Sequence, residues 1–136
     1  MTIISDEQIA YIRDGGVIAY PTSTLPGLGC IPTKEGLDTL FTLKSRSADK
    51  PVSLGVASLQ QVEALVDIDA RMIEFVDAFP RGGLSVIYPA KEIQDARLGG
   101  DAIAIRVFDH PVARALAEAV GPVSYTHLTL PTNTVV

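Results

Sequence analysis

The chain has 136 residues, 47% of them apolar and 20% charged, which suits one soluble domain with a real core. A net charge of −5 argues against a protein whose main task is gripping nucleic acid, and a single cysteine excludes an internal disulfide or a multi-cysteine metal site. No apolar run reaches the roughly 20 residues of a membrane span, and the start lacks the pattern of a signal peptide, so a cytoplasmic location and no membrane contact are expected.

Ser5 followed by Gln8 reads as a capping box opening a first helix, with Ile9 and Ile12 on its apolar face and Gly15-Gly16 as its stop. Gly16-Val17-Ile18-Ala19-Tyr20 then reads as a buried strand, broken at Pro21, which has no N–H for the ladder. Thr22, Ser23 and Thr24 follow in a loop that Gly27 and Gly29 are expected to close. A loop past the carboxyl end of a core strand is where open α/β sheets bind ligands, although an ordinary turn has the same local chemistry. Cys30 reads as a small buried hydrophobe.

Thr33 is a plausible cap for a second helix carrying Leu37, Leu40 and Phe41, which Gly36 weakens. Val52-Ser53-Leu54-Gly55-Val56 reads as a strand, and Ser58 with Gln61 as another capping box. Asp69 is expected to cap a helix with Met72, Ile73, Val76 and Phe79 packed inward. Pro80-Arg81-Gly82-Gly83 reads as a turn, Leu84-Ser85-Val86-Ile87-Tyr88 as a strand ended by Pro89, and Ala102-Ile103-Ala104-Ile105-Arg106-Val107 as another strand. Asp109 is expected to cap a last helix, with Pro111 in its first turn and Val112, Leu116 and Val120 facing inward, ended by Gly121-Pro122. Alternating strands and helices make an α/β domain.

Two places could carry chemistry. Lys44, Arg46 and Lys50 put three of the eleven cationic side chains within seven positions, just past a helix end. Lysine as a compact charge and arginine as a planar fork suit phosphate oxygens; a solvated surface loop is the plainer reading. Arg106 ends a buried strand, where a lone cation needs an anionic ligand or a salt bridge, for which Asp101 and Asp109 are at hand. His110 sits at a helix start, where the helix dipole disfavours its proton, so a structural role is expected.

Four stretches together resemble the YrdC-type threonylcarbamoyl-AMP synthase family. Pro21-Thr22-Ser23-Thr24-Leu25-Pro26-Gly27-Leu28-Gly29 is similar to its "P-T-E-T-x-Y-G-L-G" signature, with Ser23 in place of the acid and Pro26 in place of the tyrosine. Lys44-Ser45-Arg46 with Lys50-Pro51 matches its "K-x-R" and "K-P" pair. The turn at 79–87 resembles "W-P-G-P-L-T", and Arg106 through Pro111 resembles "V-R-x-P-x-H-P". The resemblance implies a single YrdC-like α/β domain over residues 1–123, a twisted mixed sheet flanked by helices. It implies an enzyme joining L-threonine, bicarbonate and ATP, with Mg2+ accompanying ATP. Lys44 and Arg46 would act on the phosphates as catalytic groups. Thr22, Thr24, Lys50 and Arg106 would bind substrate, Arg106 meeting the threonine carboxylate. Partner proteins that modify tRNA would use the product, and contact with RNA, double-stranded RNA included, is a further implied property. Alternative readings are a YrdC-like carbamoyl-transfer domain, an RNA-binding module, or an inactive fragment.

The family continues into "T-x-T-S-A-N-x-S-G", and here the match fades after Ser124. His127 stands in place of the serine, Leu128 of the alanine and Thr129 of the asparagine. Residues 124–136 also resemble translated adapter sequence. They are expected to be a non-matching, artefactual tail on a truncated sheet, either paired with its open edge as a makeshift strand or unstructured.

Overall fold

The computed structural model describes residues 4–22, 26–44, 50–78 and 85–127. Helix α1 (Asp6–Arg13) opens with the expected box: Ser5 Oγ accepts from Gln8 N at 3.2 Å and Gln8 Oε1 accepts from Ser5 N at 2.9 Å. Strand β1 (Ile18–Tyr20) follows and ends before Pro21. Gly27–Cys30 is not the close of a loop but a second strand, β2, antiparallel to β1 and wholly buried. Its glycines are there for close approach. A Cβ on Gly29 would stand 2.6 Å from Val123 Cγ1 and 2.8 Å from Tyr20 Cε1.

Helix α2 (Lys34–Lys44) starts with Thr33 Oγ1 accepting from Gly36 N at 3.2 Å. Gly36 costs the helix some propensity but is required, since a Cβ there would collide with the Ile31 carbonyl oxygen. Strand β3 (Ser53–Val56) leads into a short 3-10 turn, Leu59–Val62. The capping box expected at Ser58 is absent. Gln61 turns the other way, accepting from Ala57 N and donating to Ala117 O, both at 2.8 Å, and so ties the turn to the last helix.

Asp69 Oδ1 caps α3 (Ala70–Ala78) by accepting from Met72 N at 2.9 Å. Of the expected apolar stripe only Met72 is fully buried; Ile73 is 44% exposed, and Phe79 lies outside the described residues with the turn at 80–83. Strand β4 (Ser85–Pro89) is an edge strand, where a proline is tolerated. Strand β5 (Ala102–Val107) has the expected bounds. Helix α4 (Pro111–Val120) is capped not by Asp109 but by His110, whose Nδ1 accepts from Val112 N at 3.1 Å. That acceptor role requires an unprotonated Nδ1 and fits the structural reading of His110.

The last described strand, β6 (Val123–His127), lies in the middle of the six-stranded sheet, whose order is β1-β2-β6-β3-β5-β4. It pairs antiparallel with both β2 and β3. Residues 124–127 therefore belong to a central strand rather than to an edge. Only β3 and β5 run parallel, so the sheet is mixed, and β1 is its other edge rather than a core strand.

Strand alternation divides the side chains between two faces. On one face Leu28, Cys30, Leu54, Val56, Ile103 and Ile105 pack against Leu37 and Leu40 of α2 and Met72 of α3. On the other, Tyr20, Val123 and Tyr125 pack with Phe108 under Ile12 of α1 and Leu116 of α4. Arg13 Nη2 donates to Ala119 O at 2.8 Å, joining the two helices of that layer.

Candidate functional site

Among the described residues, helices cover the second face at only one end. There Phe108 lies directly over Gly55, where a Cβ would enter its ring, and forms an aromatic row with its neighbours. Its ring centroid is 6.0 Å from that of Tyr20 and 5.4 Å from that of Tyr125. Beyond this row the face carries mostly small and polar residues. Ser53 on β3, Ala102, Ala104 and Arg106 on β5, and Ser85 on β4 face the same way, with Ile87 of β4 beside them.

Two adjoining hollows mark this uncovered part. One, of about 200 Å³, is walled by Ser53, Ser85, Arg106, Tyr125 and Thr126. The other, of about 280 Å³, shares Pro51, Val52 and Ser53 with it and continues over Ala104 and Ile87 to Leu98 and Gly99. Together they form a groove with a cation and hydroxyls at one end and an apolar floor at the other. Depressions of about 640 and 610 Å³ on the outer surfaces of α4 and α1 are larger, but they are open and distant from the sheet-face cluster. Convergent polar groups, not volume, favour the groove as the site.

The polar end is built by register. Arg106 lies between Gly55 and Ser85, and Tyr125 lies between Gly29 and Ser53. Arg106, Ser53 and Ser85 line the same hollow as Tyr125 and act on its phenol. Burial raises the Tyr125 pKa, and the Arg106 charge opposes that rise. Nearby, the Tyr20 hydroxyl is buried without a hydrogen-bond partner, and burial holds its pKa well above that of a free phenol. Cys30, fully buried on the other face, has its thiol pushed up to about 12 by burial, as a packed hydrophobe should.

The far end is held by Arg97. Its Nη2 donates to Asp95 Oδ2 at 2.8 Å and its Nη1 to Asp38 Oδ1 at 2.6 Å, while the guanidinium lies 5.7 Å from the Phe41 ring centre. Arg97 O also accepts from Val52 N at 2.9 Å. The segment flanking Leu98 and Gly99 is thereby fastened to α2 and to the approach to β3.

Of the six residues singled out from sequence, Arg106 is in the groove wall. Lys50 is exposed and adjoins Pro51 at the groove's rim. Lys44 is the half-buried last residue of α2, and Thr22 is half-buried in the β1–β2 connection. Neither lines the groove. Thr24 and Arg46 lie outside the described residues. Strand directions nevertheless gather the four described segments. The end of β1, the end of β6 and the start of β3 share one end of the sheet, and α2 leads back toward it. Sequence reasoning missed Ser53, Ser85, Tyr125 and Thr126. The signal for Ser53 was alternation, Ser53 and Gly55 being small where Leu54 and Val56 are apolar; β4, with Ile87 two positions after Ser85, gave no such signal.

The Sua5/YciO/YrdC family model, described as "Telomere recombination", matches residues 10–136. The chain belongs to this family. It is 42% identical over 113 residues to the threonylcarbamoyl-AMP synthase of Marinobacter nauticus, covering 79% of this chain and 59% of that protein. It is 37% identical over 119 residues to the synthase of Pseudomonas fluorescens Pf-5, covering 85% and 64%. The chain thus spans about three-fifths of the length of these curated relatives. Among solved structures, Pyrococcus abyssi ("P. abyssi") Sua5 complexed with L-threonine superposes with a TM-score of 0.79 at 30% identity, over 87% of this chain and 36% of that one. Escherichia coli ("E. coli") YciO superposes with a TM-score of 0.76 at 25% identity, over 92% and 63%. The expected fold and family are both met.

Proposed function

We propose that this chain carries the substrate groove of an L-threonylcarbamoyladenylate synthase. The observation that supports the reading most directly is Arg106 among four hydroxyl-bearing residues in a hollow of about 200 Å³, in a fold whose relative is complexed with L-threonine. A guanidinium matches the two oxygens of an amino-acid carboxylate, and hydroxyls can accept from its ammonium or donate to a carbamate.

In this reading the threonine amine and bicarbonate condense to a carbamate, with loss of water as the N–C bond forms. A carbamate oxygen attacks the α-phosphorus of ATP, the bond from that phosphorus to the β-phosphate oxygen breaks, and pyrophosphate leaves. The protein's part is positioning and charge stabilisation. Arg106 receives the threonine carboxylate, Thr22 and Thr24 hold threonine or the carbamate, Lys44 and Arg46 meet the phosphates, and Lys50 lines the approach. The product would pass to cytoplasmic partner proteins that modify tRNA. Mg2+ does not suit the groove's own donors, which are hydroxyls and a cation rather than carboxylates, and among the described residues no group of three His, Cys, Asp or Glu side chains could hold it. It enters this reading only as the counterion of ATP.

Pyrophosphate release from ATP, with Mg2+ and bicarbonate present, tests the proposal. Release is expected to require L-threonine. Arg106→Ala is expected to raise the KM for threonine by about tenfold to a hundredfold, the size of a lost hydrogen bond to a charged group, with the ATP dependence little changed. Release that ignores threonine, or an Arg106→Ala variant with an unaltered threonine KM, would overturn it.

A further inference from the structure

Arg97 lines neither hollow of the groove, yet three elements meet on it. Its side chain is 15% exposed. Nε and Nη2 form a fork on Asp95, donating to Oδ1 at 3.1 Å and to Oδ2 at 2.8 Å, which leaves Nη1 to reach Asp38 Oδ1 on α2 at 2.6 Å. The other oxygen of Asp38 accepts from Lys34 Nζ at 3.0 Å, so the carboxylate is held from both sides. The backbone of Arg97 serves a different partner. Leu98 N donates to Asp95 O at 2.8 Å and Gly99 N to Ala96 O at 3.0 Å, closing the 3-10 turn Ala96–Leu98, while the Arg97 carbonyl accepts from Val52 N at 2.9 Å.

Each of these attachments leads to a part of the proposed reaction. Helix α2 carries Lys44 about 9 Å beyond Asp38 along its axis, at 1.5 Å per residue. Val52 stands between Pro51 and Ser53, and this segment, entered from Lys50, walls both hollows. Leu98 and Gly99, next after Arg97, line the apolar hollow.

We infer that Arg97 is a positioning residue, which fixes the α2 end bearing Lys44 and the Lys50-to-Ser53 segment against each other and so sets where the ATP phosphates stand relative to threonine. The inference rests on the reading of the groove as a synthase site. Arg97 touches neither substrate, so it adds no binding energy of its own. The carbamate oxygen must meet the α-phosphorus along one line, and a small shift of one set of binding groups against the other costs rate rather than affinity. Arginine suits the role because its planar fork engages Asp95 with a third nitrogen left for Asp38, which a lysine ammonium does not reproduce.

Steady-state kinetics of pyrophosphate release by the full chain, with urea unfolding of each variant, test this. Arg97→Ala is expected to lower kcat about tenfold to a hundredfold, while the KM values for threonine and ATP each change by less than about threefold. Asp38→Ala should do the same, and the double variant should fall no further than the worse single one, since both break one link. Asp38→Asn keeps an acceptor oxygen for Nη1 and should recover most of the loss. Met72→Ala, a cavity in the core on the same face of the sheet, should lower the unfolding midpoint at least as far as Arg97→Ala with kcat retained. If Arg97→Ala does not fold, the Asp38 pair carries the test, Asp38 being 49% exposed. Unchanged kcat, losses that add in the double variant, a loss confined to KM, or an equal kcat loss in Met72→Ala overturns the positioning role and leaves the synthase reading in place. No threonine-dependent release by the unaltered chain, or an unaltered threonine KM in Arg106→Ala, overturns that reading and the role of Arg97 with it.

Discussion

The two faces of the sheet use the same strands for opposite ends. On the α2–α3 side Leu54 and Ile105 are 0% and 2% exposed and closed over by helices. One residue away on the same strands, Ser53 and Arg106 line a hollow. A period of two therefore lets each strand anchor itself with one set of side chains and present chemistry with the other. The difference also explains how a polar groove can cross the centre of a small domain. The apolar face holds the sheet's position, and the opposite face is released from packing wherever the aromatic row of Tyr20, Phe108 and Tyr125 stops.

The sharpest way to break this comparison is to truncate neighbouring residues of β3. Leu54→Ala is expected to cost about 2–5 kcal/mol, the range for emptying a packed core site. Ser53→Ala, one position earlier, is expected to cost about 1 kcal/mol or less. Urea unfolding of both variants would test it, and equal losses would mean that the faces are not specialised. Gly55→Ala probes the boundary between the aromatic row and the groove. Its methyl group would enter the space of the Phe108 ring, and a loss of about 1–3 kcal/mol is expected, again by urea unfolding. The smallest effect concerns the sealed face alone. The Cys30 thiol ionises near 9 when free and at about 12 when folded, so above pH 9 the unfolded chain binds fewer protons than the folded one. Stability should then fall with rising pH between 9 and 10 by up to about 1.4 kcal/mol per unit. Cys30→Ala should flatten that limb of a thermal-denaturation series, and an unchanged slope would show that the thiol is not sealed.

Elements whose signals are local were legible in the sequence. The β5 bounds, the Thr33 and Asp69 caps and the Ser5 box follow from alternation and from short side chains that accept backbone donors. Elements set by distant partners were not. Gly-Leu-Gly-Cys has the composition of a turn, and only the closeness of Val123 and Tyr20 explains why glycine is needed inside β2. Gln61 matches a capping pattern but finds Ala117, 56 residues away. His110 displaces Asp109 as a cap because Pro111 fixes where the helix begins. The site divides in the same way. Arg106 stood out as a charge in an apolar strand, whereas Tyr125 gains its place only from the pairing of β6 with β2 and β3.

That pairing has a bearing on how the chain comes together. Within the sheet, β6 alone joins the β1–β2 hairpin to β3, β5 and β4. Nearly a hundred residues of sequence separate Gly27 from its partner His127. During synthesis the hairpin must wait, unjoined to the other three strands, until β6 has been made. Assembly of the sheet is thus governed by one late, long-range closure, which favours slow folding and a lasting exposed strand edge in the waiting intermediate.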